Sequence, residues 1–198
     1  MPKVVDRERR RGDLAEAAVR VIARIGLEGV TVQSVASEAA CSAGSIAHYF
    51  RNKEELLLHA LRVVTEPLIE PLRGAAQPPS TIESLRALVQ ASLPLDAARE
   101  RDWRVRLAFW SRASGPPEEV QLARQHWAEW RVLWEGAVRA LQTDGALRAD
   151  ADPAEVSSGI VAIIVGMATH LLVRPRGGAQ PTTAIESYLR AFDPRRVR

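Results

Sequence analysis

The stretch from Gly29 to Leu58, GVTVQSVASEAACSAGSIAHYFRNKEELLL, leaves the chain little choice of local structure. Thr31 suits an N-cap, because its hydroxyl can accept from a backbone N–H that the first helical turn leaves unpaired. Val32, Val35, Ala36 and Ala39 follow at helical spacing and make a narrow apolar face. Ala40-Cys41-Ser42 reads as a tight turn, and Ser42 as the cap of a second short helix. In that helix Ile46, Ala47 and Phe50 are expected to point inward, which leaves Gly44, Ser45, His48 and Tyr49 outside. Asn52-Lys53-Glu54-Glu55 is a cap with a glutamate three residues on, the capping-box pattern, ahead of Leu56-Leu57-Leu58. Two short helices joined by such a turn match a helix-turn-helix, whose second helix sets its N-terminal residues in the major groove of DNA. The alternative is a helical hairpin buried in an ordinary bundle, which would call for apolar residues in place of Ser45, His48 and Tyr49.

The runs G-V-T-V-x-x-V-A-x-E-A over 29–39 and G-S-I-x-x-Y-F-x-x-K-E-E-L over 44–56 resemble the DNA-binding domain of TetR-family transcriptional repressors. The resemblance covers about residues 8–58. It implies that Thr31, Gln33, Tyr49 and Lys53 meet the DNA backbone, while Ala43, Gly44, Ser45 and His48 face base edges. Gly44 contributes by lacking bulk, Ala43 offers a methyl group for a thymine methyl, and Gln33 could also pair with adenine N6 and N7. The first arginine at or after the recognition helix is Arg51, so direct guanine readout is weak and DNA shape carries much of the specificity. Two positions depart from the family pattern. Ala40 stands where glycine is usual, which costs about 1 kcal/mol if that residue is left-handed. Ala47 stands where tyrosine is usual, which makes the inner face shallower.

Composition narrows the function classes. A chain of 198 residues with 46% hydrophobic residues can bury a sizeable core, and its net charge of +3 suits a polyanionic partner. One cysteine, Cys41, excludes an intramolecular disulfide and reads either as a small half-buried apolar residue or as a redox sensor. The N-terminus is charged with no apolar run behind it, and the run Ile160 to Ala168 is too short to span a bilayer, so a cytoplasmic protein with no membrane partner is expected. His48, His59, His126 and His170 are scattered, and neither zinc-ligand spacing nor a phosphate-cradling glycine loop occurs. No catalytic residue, metal or cofactor is therefore expected. The competing DNA-binding class is a ligand-independent architectural protein, which would not need a large aromatic second domain.

Taken in order, the chain reads as an all-α protein in two domains, 1–58 for DNA and 59–198 for ligand binding and dimerisation. Lys3, Arg7, Arg9, Arg10 and Arg11 form either a basic arm on DNA phosphates or a solvated terminus. The first helix carries Leu14, Ala17, Ala18, Val21, Ile22 and Ile25 on one face and ends at Gly26; Asp13 with Glu16 is its capping box unless it begins near Arg7. A fourth helix from Lys53 belongs to both domains and is interrupted or ended by Pro67 and Pro71. Ser80 with Glu83 opens a helix to Leu93; others run over Asp96–Ala113, from Pro117 to Asp144 before a left-handed Gly145, from the Asp152-Pro153-Ala154-Glu155 start to Val173, and over Thr182–Phe192.

The second half resembles the C-terminal domain of BetI-type members of the same family, through W-x-x-x-L-A-F-W at 103–110, W-x-x-W at 127–130 and the apolar helix near 159–171. The choline-pathway ligands of that type are not carried over on this likeness. All five tryptophans lie between 103 and 134. Trp103 with Trp110, and Trp127, Trp130 and Trp134, form two helical stripes that would wall a pocket for an apolar, aromatic or quaternary-ammonium effector, with Arg106 and His126 as polar neighbours. The plainer reading is that these rings fill the core. The 153–173 helix has more apolar surface than one contact can cover. It is expected to pair with its copy in a homodimer through Gly159, Ile160, Ile163, Gly166 and Met167, with Tyr188 from the last helix, forming a two-fold four-helix interface. The partners expected are thus a double-stranded DNA operator, a small-molecule effector and a second copy of the chain.

Overall fold

The computed structural model describes residues 2–73, 81–111, 117–173 and 182–195, and among these no strand occurs. The helices are α1 (Pro2–Ile25), α2 (Val32–Glu38), α3 (Ala43–Ala47), α4 (Lys53–Arg73), α5 (Ile82–Ser92), α6 (Ala97–Trp110), α7 (Pro117–Thr143), α8 (Pro153–Val173) and α9 (Thr182–Leu189), the last followed by a 3-10 turn, Arg190–Phe192. They divide into two compact units: residues 1–67 with 97–123, and residues 68–96 with 124–198.

The first unit is built on α1. Leu14, Ala17, Ala18, Val21 and Ile22 are buried with Val35 of α2, Ile46 of α3, Phe50, and Leu56, Leu61 and Val64 of α4. Val105 and Phe109 of α6 enter the same core. Packing therefore does not follow the expected division after residue 58. The apolar face of α4 is needed as far as Val64, and α6 joins this core from far along the chain. Ile25 is 47% exposed instead of buried. Gly26, at φ +75°, ends α1 as expected. The helix starts at Pro2, so Asp13 and Glu16 are interior residues and not a capping box. Helix α4 continues through Pro67 and Pro71. Each proline removes one N–H and leaves one carbonyl without its helical donor, and the helix absorbs both losses.

In the second unit the cap of α5 is one residue later than expected. Thr81 Oγ1 accepts from the Ser84 N–H at 3.1 Å, and Ser84 Oγ accepts in return from the Thr81 N–H at 3.1 Å. Gly145 is left-handed at φ +71°, and Asp152 Oδ1 accepts from the Ala154 N–H at 2.9 Å where α8 begins. Arg86 of α5 pairs with Glu186 of α9 at 3.1 Å. In α8, Val156, Ser157, Ile160, Val161, Ile164 and Ala168 are buried. The helix has 21 residues and holds an 18-residue stretch with a mean hydropathy of 2.1, long and apolar enough by composition to cross a bilayer, which counting Ile160 to Ala168 alone does not reveal. Along this helix Ile163, Val165 and Met167 are half-buried and Ala162, Gly166 and Val173 exposed, so among the described residues a second stripe keeps some apolar surface.

Candidate nucleic-acid interface

Helices α2 and α3 are short, and their ends are fixed by side chains. Thr31 Oγ1 accepts from the Ser34 N–H at 3.0 Å, and Ser34 Oγ accepts from the Thr31 N–H at 3.0 Å. Ser42 Oγ accepts from the Ser45 N–H at 3.1 Å and lies 2.9 Å from Ser45 Oγ. Asn52 Oδ1 accepts from the Glu55 N–H at 2.8 Å, while Glu55 Oε2 accepts from the Arg51 N–H at 2.8 Å. The turn passes through Ala40 at φ +50°, the left-handed conformation that glycine takes without cost and alanine does not.

This frame leaves one polar face open. Thr31, Gln33, Gly44 and His48 are exposed, and Ala43, Ser45, Tyr49 and Lys53 are half-buried. All eight expected DNA-facing residues thus keep some surface. Two of them are already engaged within the protein: the Ser45 hydroxyl meets Ser42 and the Thr31 hydroxyl accepts from the Ser34 N–H. A Cβ added at Gly44 would meet nothing closer than Ser42 Oγ at 3.7 Å, so its small size is not demanded by the fold itself. Ala47 is a correction: it is exposed, since Ile46 and Phe50 alone fill the inner face of so short a helix.

Charged side chains of α1 brace the two helices from behind. Arg20 and Arg24 donate to Glu38 at 2.7 and 3.0 Å, tying α1 to the end of α2, and these bonds hold the Glu38 carboxyl below its ordinary range. Arg11 donates to the Tyr49 carbonyl at 2.6 Å and to Glu55 at 3.0 Å. The Glu55 carboxyl is likewise lowered, first by the Arg51 N–H and then by Arg11. No local pattern announces these contacts, which join residues 14 to 44 positions apart. His59 stacks edge-on against Phe50, and burial pulls its imidazole below the ordinary value. Two short capped helices joined by a tight turn, the second keeping its N-terminal face accessible, are the arrangement of a helix-turn-helix DNA reader.

Comparison with known proteins agrees. The model described as bacterial regulatory proteins of the tetR family matches residues 14–60, and that described as the BetI-type transcriptional repressor C-terminal domain matches residues 81–193. The chain belongs to the TetR family of transcriptional regulators, with a C-terminal domain of the BetI type. It is 33% identical over 175 residues to the HTH-type transcriptional regulator BetI of Paraburkholderia xenovorans (strain LB400), covering 84% of each chain. It is 28% identical to the regulator PksA of Bacillus subtilis (strain 168), covering 88% of this chain and 84% of the relative. Among solved structures, a transcriptional regulator from Saccharomonospora viridis in complex with choline has a TM-score of 0.72 and 26% identity, covering 93% and 95%. A regulator from Pseudomonas aeruginosa PAO1 has a TM-score of 0.77 and 26% identity, covering 93% and 90%.

The tryptophans and Arg106 expected to bind the ligand fall in both units. Trp103, Arg106 and Trp110 belong to the first unit, and Trp127, Trp130 and Trp134 to the second. Trp103 is fully buried and meets Trp110 edge-on at 5.7 Å. Arg106 is 2% exposed; its Nε donates to the Val64 carbonyl at 3.0 Å and its guanidinium carbon lies 5.2 Å from the Trp103 ring centre. Burial lowers that guanidinium to about 9, against the pull of Asp102, so it remains charged at neutral pH. Trp130 and Trp134 are buried, Trp127 is 39% exposed, and the three rings form an edge-to-face ladder. The His126 side chain lies outside the described residues. A cleft of about 690 Å³ in the second unit is lined by Thr81, Arg86, Asp144, Glu186, Arg190 and Arg195 among others, and by none of the tryptophans. On α8, Ile160 is fully buried in its own chain and so leaves the expected interface. A Cβ at Gly159 would lie 2.0 Å from Tyr188 Oη, so this glycine makes room for Tyr188 of the same chain. Ile163 and Met167 are half-buried and Gly166 is exposed.

Proposed function

We propose that the protein is a homodimeric, effector-responsive repressor that binds a near-palindromic operator in the cytoplasm and leaves it when a small molecule binds. Residues 1–58 supply the DNA contact and residues 59–198 the ligand and dimer contacts. The observation that carries the reading is the open face of α3. Gly44 and His48 are exposed and Ser45 is half-buried, while Ala43 keeps part of its surface as it packs on a core closed by Ile46 and Phe50. The three caps and the α1 arginines hold that face in one orientation, which base readout requires. Thr31, Gln33, Tyr49 and Lys53 flank it as phosphate contacts. The dimer is proposed through the outward stripe of α8, with Ile163, Gly166 and Met167, because the described residues cover that stripe only in part.

The effector is proposed to be an organic cation or an aromatic or apolar metabolite, bound beside the tryptophans. Support comes from the choline complex of the Saccharomonospora viridis relative and from the concentration of indole faces in this chain. A duplex selected from a random-sequence library by the full-length protein tests the reading. Fluorescence anisotropy should report saturable binding to that duplex, and one member of a panel of choline-like cations and aromatic metabolites should release it. A protein that enriches no sequence, or one that no panel compound displaces, argues for a different function or a different effector class respectively.

A further inference from the structure

Arg11 belongs by sequence to a basic N-terminal run suited to DNA phosphates, yet the structure turns it toward the protein. Its Nη1 donates to the Tyr49 carbonyl at 2.6 Å, and its Nη2 to Glu55 Oε1 at 3.0 Å. Its guanidinium carbon lies 4.6 Å from the centre of the Phe50 ring. The Arg11 side chain is 18% exposed and that of Glu55 30%. These three partners are the segment just beyond α3, the aromatic anchor that holds it to the core, and the first turn of α4. The Tyr49 carbonyl follows the last turn of α3, where carbonyls lack helical donors and need another partner. Glu55 is held twice more, by the Arg51 N–H and through its own N–H to Asn52.

A helix of five residues, Ala43–Ala47, has too few internal bonds to hold its own direction. Its orientation has to come from what grips its ends. Ser42 grips the N-terminal end locally. At the other end only a planar guanidinium can donate in two directions and offer a face to a ring at the same time; an ammonium cannot. We infer that Arg11 is a positioning residue for the recognition helix: a clip that sets the direction of α3 against α1 and α4, not a phosphate contact.

This inference rests on the reading of α3 as the helix that enters the major groove. Base-edge contacts depend on the direction of α3, whereas most phosphate contacts supply affinity without sequence information. Loss of the clip should therefore reduce discrimination between sequences and leave the electrostatic part of binding alone.

The test uses the full-length protein, a duplex selected by the wild type from a random library, and a shuffled duplex of the same composition. Affinity for both is measured across a salt series for wild type, Arg11→Met, Arg11→Lys, Glu55→Gln and the Arg11→Met/Glu55→Gln double variant. Both Arg11 variants should bind the selected duplex about tenfold more weakly, with the shuffled duplex changed less than about twofold and the salt slope unchanged. Glu55→Gln should act in the same direction, and the double variant should be little worse than the weaker single one, because the two residues share one device. If Arg11→Met fails to fold, by circular dichroism and melting, the lysine and Glu55 variants decide alone. The inference is overturned if Arg11→Lys binds the selected duplex like wild type. It is equally overturned if Arg11→Met weakens both duplexes alike and lowers the salt slope by about 0.9, the signature of a lost phosphate contact. A wild type that enriches no sequence overturns the groove reading and this inference together, while enrichment with either result above overturns the clip alone.

Discussion

Ala40 carries a backbone cost that can be measured. Its φ of +50° is one that an L side chain resists by about 1–2 kcal/mol, and glycine there would lose some of the gain through a freer unfolded chain. Ala40→Gly should raise stability by about 1 kcal/mol and the melting temperature by about 2–4 °C, read by thermal denaturation. Gly159 is constrained in the opposite sense. Its missing Cβ leaves the space that Tyr188 Oη occupies 2.0 Å away. Gly159→Ala should destabilise by about 1–3 kcal/mol through overpacking, and Tyr188→Leu in the same chain should recover part of the loss. Glu38 links stability to pH. Its folded carboxyl is lowered by bonds from Arg20 and then Arg24, below the ordinary 4.5. A lowered acid contributes stability that is present above the unfolded value and fades as pH falls through the folded one. The difference in melting temperature between wild type and Glu38→Gln should therefore be full at pH 6 and shrink below about pH 4.5. A difference that stays constant down to pH 3 would mean that the Arg20 and Arg24 bonds are not what Glu38 contributes.

At the scale of elements, the division of labour falls between α3, which is exposed and short, and α1, which is long and supplies the frame. The functional residues on and around α3 should separate into two kinds. Lys53→Ala should weaken binding to every sequence and lower the salt slope by about 0.9, as for one lost phosphate contact. Tyr49→Ala and Ser45→Ala should weaken selected-duplex binding with little loss of fold, since neither side chain is fully buried. Gel-shift titrations over a salt series distinguish the two. Tyr49→Ala bound as tightly as wild type would displace the recognition face from where α3 presents it. Helix α6 is a structural partner of this reading head, because Val105 and Phe109 sit in its core. A ligand that moved α6 would therefore act on the DNA-binding core directly, provided it bound the two arrangements with different affinity.

For the whole molecule, the proposed dimer rests on the outward stripe of α8. Half-buried Ile163 and Met167 beside exposed Gly166 leave apolar surface on one stripe, which the proposed second copy would cover with two-fold symmetry. Ile163→Glu would place a charge in that contact, where an unpaired buried charge costs about 3–5 kcal/mol. Sedimentation should show a dimer for wild type and a monomer for the variant at micromolar concentration. A stable native monomer of the wild type would leave the α8 face to some other partner. A two-headed dimer would place its recognition helices about 34–36 Å apart, one turn of DNA, and make operator symmetry a requirement.

What the sequence determined by itself is what short-range chemistry controls. The caps at Thr31, Ser42, Asn52 and Asp152, the left-handed Gly26 and Gly145, and the open polar face of α3 all follow from residues within a turn or two of one another. The family resemblance is carried by equally local runs over 29–39 and 44–56, so the class of protein was legible as well. Tertiary structure decided the rest. The sequence could not place α6 in the DNA-binding core, because Val105 and Phe109 share that core with residues of α1 that lie far back along the chain. It could not separate Arg11 from its basic neighbours, since Tyr49 is 38 residues away and Glu55 is 44. It placed Gly159 on an interface stripe, while the fold spends that glycine on Tyr188. It read Pro67 and Pro71 as helix breaks, while α4 continues through both. Local signals bear on one hydrogen bond or one turn at a time. Which distant side chain fills a given space, or meets a given charge, is settled only when the helices pack, because that choice depends on the whole arrangement at once.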